Sequence, residues 1–398
     1  MFNQDQRREM EFKKQYFKQM PLVIWNAFLF MIILYSCTSK HTSSEKPEDH
    51  LSFKLQVIDT AGPHNPWAKI LADINGDGNA DVVIGGQKGP LVGYLYPTWE
   101  KISIIDGGYD TVDGEAGDID GDGDNDIIMG GLFWYENPGP DRLVNVNSWN
   151  AHQIADHSTH DIEVGDIDKD GRLDVITRNQ SEFNAKAGNK IYVWLQREES
   201  WETQIIDCPH GEGIDVSDLD GDHDLDIVIG GKWFENEYPI WTEYQYAEWY
   251  PNAAVKVADF NNDGRNDVIL TPSELADGFF KISWYEQPVN PSEYWLEHLV
   301  QDSTETIVHA VDATDFNNDG WVDIVSAEMH QGMDPDEVSV FVNTEEGKEW
   351  RKIIISERGS HLIQVADIDL DGDMDIMGAN WSGDYQPIEV WFNQLIEK

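Results

Sequence analysis

The feature that most restricts this chain is a nine-residue acidic loop that occurs seven times. The copies are DINGDGNAD (73–81), DIDGDGDND (118–126), DIDKDGRLD (166–174), DLDGDHDLD (218–226), DFNNDGRND (259–267), DFNNDGWVD (315–323) and DIDLDGDMD (367–375). Successive copies begin 45, 48, 52, 41, 56 and 52 residues apart. The shared pattern is D-x-[DN]-x-D-[GH]-x-x-D. Self-similarity at such a period marks an array or ring of like units, none of which can bury its apolar face alone.

The spacing also carries chemistry. Oxygens at positions 1, 3 and 5, a backbone carbonyl at 7 and a carboxylate at 9 can wrap one hard cation. Ca²⁺ takes six to eight such oxygens, and glycine at position 6 permits the sharp turn. The predicted side-chain ligands are Asp73, Asn75, Asp77 and Asp81; Asp118, Asp120, Asp122 and Asp126; Asp166, Asp168, Asp170 and Asp174; Asp218, Asp220, Asp222 and Asp226; Asp259, Asn261, Asp263 and Asp267; Asp315, Asn317, Asp319 and Asp323; and Asp367, Asp369, Asp371 and Asp375. Up to seven structural Ca²⁺ ions are expected, the fourth site being the odd one because His223 replaces its glycine. The plainer alternative is that some loops are acidic turns without metal. An EF-hand would need glutamate at position 12 and flanking helices. Here position 12 lies in an apolar run, such as Val82-Val83-Ile84 or Ile127-Ile128-Met129, so each loop leads into a strand.

Each unit reads as four short strands. An inner strand precedes the loop (IEVGD, 162–166) and a second follows it (DVIT, 174–177). A third is aromatic, as in FWYEN (133–137), WFEN (233–236), SWYEQ (283–287) and VWFN (390–393). A fourth begins at Trp99, Trp149, Trp201, Trp241, Trp295 or Trp350. That leaves six fourth strands for seven units, and the segment Phe53-x-x-Gln56-x-Ile58 supplies the missing one. The prediction is an all-β, seven-bladed propeller over residues 51–398, closed by the N-terminal strand completing the last blade. Closure removes the exposed sheet edges.

These loops resemble the FG-GAP or VCBS repeat, the type found in integrin α-subunit propellers and many bacterial surface proteins. The resemblance covers residues 53–398 and implies the propeller fold. Such propellers host adhesion, sugar binding and lyase chemistry alike, so function has to be argued from the site.

The formal net charge is −48, which excludes nucleic acid as a partner because phosphate binding needs the opposite sign. So many carboxylates repel one another without counter-ions, and the loops identify those. Two cysteines, Cys37 and Cys208, cannot build a disulfide framework. Residues 21–36 form an apolar run behind Arg7, Arg8, Lys13, Lys14 and Lys18, which reads as an export signal. Leu34-Tyr35-Ser36-Cys37 resembles a bacterial lipobox. The expectation is a cleaved signal over 1–36, lipidation of Cys37, a polar tether over 37–50, and a lipid-anchored protein in the periplasm or at the cell surface. A retained signal anchor is the alternative. The membrane is met only through the anchor.

The repeats supply an internal control for the leftover residues. Three positions before each loop stand Ile70, Glu115, Glu163, Asp215, Lys256, Asp312 and Gln364. Strand alternation puts them on one face, so the six polar ones are predicted to line a central channel, where they share water or an additional metal ion. Six positions before the loop stand Trp67, Val112, His160, Glu212, Ala253, His309 and His361. Three units carry Gly-Gly after the second strand, whereas the histidine-bearing units carry Arg178-Asn179, Glu328 with His330, and Asn380-Trp381. These positions share one rim, away from the acidic loops. The candidate catalytic residues are His160, His309, His361, His330 and Arg178; the candidate ligand-binding residues are Glu212, Lys232, Glu328, Asn380, Trp381, Asn179 and His210.

Histidine is the usual general base near neutral pH. Arginine holds a carboxylate bidentately, and Trp381 or Trp67 could stack on a sugar. The first functional expectation is therefore a carbohydrate site, for an acidic sugar if Arg178 and Lys232 take part, with lyase- or dehydratase-type proton abstraction as its catalytic form. Propeller sugar lyases and dehydratases have a similar build, without a residue-by-residue match. The second expectation is a non-enzymatic adhesion or assembly module with a protein partner, recognisable by rim histidines that are buried and mutually satisfied.

Overall fold

Short strands, broken at every acidic loop, assemble into seven four-stranded antiparallel sheets. The computed structural model describes residues 51–109, 113–145, 148–179, 188–274, 278–305 and 307–395. The expected signal segment, Cys37 and the tether lie outside the described residues.

Six sheets are consecutive in sequence, and the seventh is completed by the N-terminal strand Phe53–Asp59, which pairs with Ile388–Asn393. The predicted ring closure is thus present, with Phe53 opposite Asn393. Sequence follows position across each blade. Second strands are buried on both faces, as in Asp81–Gly86 and Asp174–Arg178, because a neighbouring blade packs on either side. They are accordingly rich in valine and isoleucine rather than alternating. Outer strands such as Asn150–Gln153 face solvent. Third-strand aromatics fill the space between blades, with Trp233, Trp284 and Trp391 fully buried.

The acidic loops keep one backbone shape. Their sixth residue has positive φ in every copy, from His223 (71°) to Gly123 (100°). The His223 amide donates to Asp218 Oδ2 as the glycine amides of other loops do to their first aspartate. The substitution therefore leaves the turn intact.

The ninth-position aspartate is used in a way the spacing did not reveal. Spacing alone assigns it to the cation. In all seven blades it is buried, with one oxygen accepting the amide of loop residue 2 and the other an amide at the end of the third strand. Asp323, for example, accepts from Phe316 N at 3.0 Å and Asn343 N at 2.7 Å. It staples loop, second strand and third strand together. The residue that donates to it often carries a side-chain amide that reaches the preceding blade. Asn137 donates to the Ile74 carbonyl, Gln196 to Ile119, Asn236 to Ile167, Gln287 to Leu219, Asn343 to Phe260 and Asn393 to Phe316. Six of the seven blade junctions carry this clamp. At the seventh, where the ring closes, Tyr96 occupies the position and packs on Phe392 instead, their ring centroids 6.3 Å apart.

Replacing Asp323 with asparagine turns an acceptor into a donor against a buried backbone N–H. Asp323→Asn is expected to cost about 2–3 kcal/mol, measured by chemical denaturation. A cost within error of zero would show that the staple contributes nothing.

Candidate functional site

Seven inner strands converging on an axis leave a cavity of about 310 Å³ at the face away from the acidic loops. His160, His309, His361 and Glu212 line it together with Glu115, Glu163, Lys256, Asp312 and Gln364. The histidine-bearing positions and five of the six polar channel positions therefore meet in one cavity, Asp215 not being among the residues that line it. Alternation explains the channel register. The histidine register does not follow alternation, because His160 and His361 lie just before their strands (Asp161–Gly165 and Leu362–Ala366) and a register shift follows Val308 beside His309.

The mouth is built from mutually oriented groups. His160 Nδ1 donates to Asp161 Oδ1 at 2.8 Å, which leaves its Nε2 3.8 Å from Glu212 Oε2. His309 Nδ1 donates to the His361 carbonyl at 3.0 Å. The His309 and His361 rings stack with centroids 4.3 Å apart. Glu212 Oε1 accepts from the Ser273 hydroxyl. Glu212 Oε2 and His361 Nδ1 are buried without a hydrogen-bond partner.

Burial and neighbouring charge set the protonation. Burial opposes the charged form of His160, but Asp161, Glu212 and Asp113 outweigh it and hold the imidazole up at about 9. Burial pushes His309 down to about 3, and His160 adds to the effect. Burial, with His309 and Lys69, keeps His361 well below its ordinary value. Burial raises Glu212 to about 7 despite His160. Along the axis burial lifts Glu115 to about 8, with Asp113 adding, and lifts Glu163 well above the carboxylate range. Lys256 is raised by Asp215 above all.

Several channel residues also join blades. Gln364 Oε1 accepts from Leu71 N at 2.8 Å, and Asp215 Oδ2 accepts from Val257 N at 2.7 Å. Asp215 also faces Lys256 at 3.5 Å. Other predicted residues lie elsewhere. Arg178 is buried, and its guanidinium donates to the carbonyls of Pro209, Glu212 and Gly213 at 2.8–2.9 Å. It braces the loop that carries Glu212 instead of facing a ligand. Lys232 pairs with Glu243 between the outer two strands of its blade. Glu328 accepts from Glu337 N at 2.8 Å. Asn380 donates to the Arg358 carbonyl. Asn179 lines a separate small cavity with His157 and Tyr192, and His210 is not among the residues that line the axial cavity. His330 contacts Ser382 at 3.0 Å and borders Trp381, whose ring centroid lies 6.1 Å from His361 and 5.9 Å from Trp67.

Four nearby groups escaped the sequence reading: Asp113, Asp161, Ser273 and Lys69. Asp113 and Asp161 stand five positions before their loops. Alternation from the channel register would have placed them on the axis. Lys69 is wholly buried, its Nζ donating to the Pro66 carbonyl at 2.6 Å, and burial lowers it to about 7 against the pull of Asp113.

The acidic loops differ in how well their side chains suit a cation. Carboxylates converge in Asp118–Asp120–Asp122, Asp166–Asp168–Asp170, Asp218–Asp220–Asp226 and Asp367–Asp369–Asp371. Asp124 Oδ1, Asp168 Oδ1, Asp369 Oδ1 and Asp373 Oδ1 are buried and unpartnered, which suits an ion in the second, third and seventh loops. In the third loop Arg197 reaches Asp168 at 2.8 Å and Arg172 pairs with Asp170; in the fifth Arg265 pairs with Asp263. Guanidinium groups there already supply part of the counter-charge.

The fold and its repeats define the class. FG-GAP-like repeats match residues 73–129, 118–177 and 315–378. The chain is a seven-bladed β-propeller carrying FG-GAP-like repeats. No curated protein matches its sequence. Among solved structures it is similar to a complex of BBS1N with ARL6DN at 11% identity, covering 86% of this chain and 96% of that one with a TM-score of 0.56. It is also similar to a Bacillus licheniformis rhamnogalacturonan lyase at 10% identity (88% and 74% covered, TM-score 0.47), and to YCF48 bound to a D1 peptide at 12% (89% and 100% covered, TM-score 0.47). At such identities the likeness is one of fold.

The raised Glu115 carboxyl makes stability depend on pH. Its folded value, about 8, lies above the ordinary 4.5. The folded state therefore holds the proton longer, and stability is lost as pH rises through that window. Glu115→Gln removes this term, so the variant's melting temperature should gain on the wild type between pH 5 and 8. Parallel melting curves would contradict the assignment.

Proposed function

We propose that this protein is an exported, lipid-anchored, calcium-braced propeller that binds a carbohydrate at its axial cavity and removes a proton beside a carbonyl of that sugar, the β-carbon–oxygen bond breaking to release water or an alcohol and leave an unsaturated product. The observation that carries the reading is the pair of buried, unpartnered atoms, Glu212 Oε2 and His361 Nδ1, at a polar cavity, with the Trp381 ring centroid 6.1 Å from that of His361. Leaving such groups unpaired costs free energy, and a polyhydroxylated ligand offers both donors and acceptors to satisfy them. Trp381 and Trp67 supply apolar ring faces for a sugar. With Arg178 and Lys232 engaged elsewhere and carboxylates lining the axis, a neutral sugar suits the cavity better than an acidic one. His361 is the base the geometry favours: its Nδ1 has no hydrogen-bond partner, and burial keeps the imidazole neutral and so able to accept, as a weak base. The competing reading, a non-enzymatic assembly module, expects rim histidines that are buried and satisfied. Here His160 and His309 are buried and hydrogen-bonded, but His361 Nδ1 is buried without a partner, which speaks for a small ligand.

Titration with neutral mono- and disaccharides and keto-sugars, followed by tryptophan fluorescence and by absorbance of unsaturated product, tests the reading. Trp381→Ala is expected to weaken binding roughly tenfold, a loss of about 1.4 kcal/mol. His361→Ala should keep binding and lose product. Failure of every sugar in the panel to bind, or unchanged product from His361→Ala, would overturn it.

The calcium part has its own test. If Ca²⁺ binds the folded loops and not the unfolded chain, a calcium chelator lowers the melting temperature and added Ca²⁺ restores it. A melting curve unmoved by excess chelator would remove calcium from the account.

A further inference from the structure

We propose that His160, Glu212 and His309 form a site for one divalent transition-metal ion of the zinc type at the channel mouth. One ligand atom from each lies within 4.8 Å of the other two. Glu212 is 2% exposed, and its Oε2 is aimed into this space with no hydrogen-bond partner. His160 Nε2 and Glu212 Oε2 are 3.8 Å apart. That is about half an ångström more than the ~3.3 Å between two ligands bound ~2.0 Å from a tetrahedral ion. A small rotamer adjustment closes the difference.

The surroundings have the form of a metal centre. A ligating histidine characteristically donates its other ring N–H to a carboxylate or a carbonyl, which fixes its tautomer and orientation. Both histidines do so here: His160 Nδ1 to Asp161, and His309 Nδ1 to the His361 carbonyl. Each is thereby left with Nε2 as its available atom. Asp161 is itself held, its second oxygen accepting from Gly213 N at 2.9 Å, next to Glu212 in the chain. Glu212 is steadied by Ser273, and its loop by Arg178. The three ligands thus come from the approaches to the inner strands of blades 3, 4 and 6, and their supports tie blades 3 to 4, 4 to 5 and 6 to 7.

The donor set selects the ion. Two imidazoles and one carboxylate suit Zn²⁺, Co²⁺, Fe²⁺ or Mn²⁺, whereas Ca²⁺ prefers oxygen ligands in greater number, as the acidic loops offer. Three protein ligands leave a fourth position open, and here it opens to the axial cavity. An ion there also offsets the negative charge of Asp161 and Glu212. The inference rests on this cavity, not on the carbohydrate reading, and the ion's open position would be placed to take a carbonyl oxygen of such a ligand.

The test uses the full chain in calcium buffer after transition metals have been removed by dialysis, titrated with Co²⁺. One Co²⁺ per chain is expected by mass spectrometry, with ligand-field absorption, insensitive to excess Ca²⁺ and displaced by Zn²⁺. His309→Ala and the near-isosteric Glu212→Gln should each abolish the absorption while melting like the wild type in calcium. Asp161→Asn, which disturbs only the support of His160, should weaken Co²⁺ binding about 10- to 100-fold. Absence of ligand-field bands in the wild type, or identical bands in Glu212→Gln, would overturn the site and leave His160 and Glu212 as an ion pair. Sugar binding plays no part in the readout, so either proposal can fail alone.

Discussion

The ninth aspartate of each acidic loop and the amide that often follows it at the end of the third strand organise this molecule. The carboxylate ties the loop to two strands of its own blade. In six junctions the neighbouring side-chain amide then hooks the previous blade's loop. The hook recurs around the ring and holds each third strand against the loop of the blade before it, beside the inter-blade bonds at the axis such as Asp215 to Val257 N and Gln364 to Leu71 N. The exception falls at the closure, where Tyr96 packs against Phe392 and strand pairing between Phe53–Asp59 and Ile388–Asn393 already joins the two ends of the chain.

The two faces divide the acidic groups between different tasks. On the loop face, carboxylates cluster at the surface, and they meet unpartnered space, as beside Asp369 and Asp124, an arginine, as at Asp263, or both, as at Asp168. On the axis, carboxylates are enclosed and few positive charges reach them. Lys256 serves Asp215, and burial raises Glu115 and Glu163 until they hold their protons more readily. The mouth lies between these regimes. Asp161 and Glu212 stay close to imidazoles, and the histidines are oriented by hydrogen bonds rather than left to rotate.

The site was legible to the extent that repeats can be aligned. Counting back from the loop put His160, His309 and His361 in one register, and the structure brings them to one cavity. The same count, taken one step further by alternation, would have found Asp113 and Asp161. Arg178 departs from its register. Its register predicts the rim, but its long side chain turns to three backbone carbonyls of the adjacent loop. Register locates a Cα; the partners available within reach of the side chain decide what the charge does. Lys232 departs in the same way, finding Glu243 on the neighbouring strand.

Blade number, strand order, ring closure and the axial register all follow from a local pattern repeated seven times, and local pattern is what a sequence states directly. The fate of the ninth aspartate, the hooks between blades, the unpartnered Glu212 oxygen and the pairing of His160 with Asp161 belong to the tertiary structure. Each depends on which groups from different blades arrive within hydrogen-bonding distance. That is settled by packing between repeats about 50 residues apart, a distance over which the linear order of residues says nothing about contact.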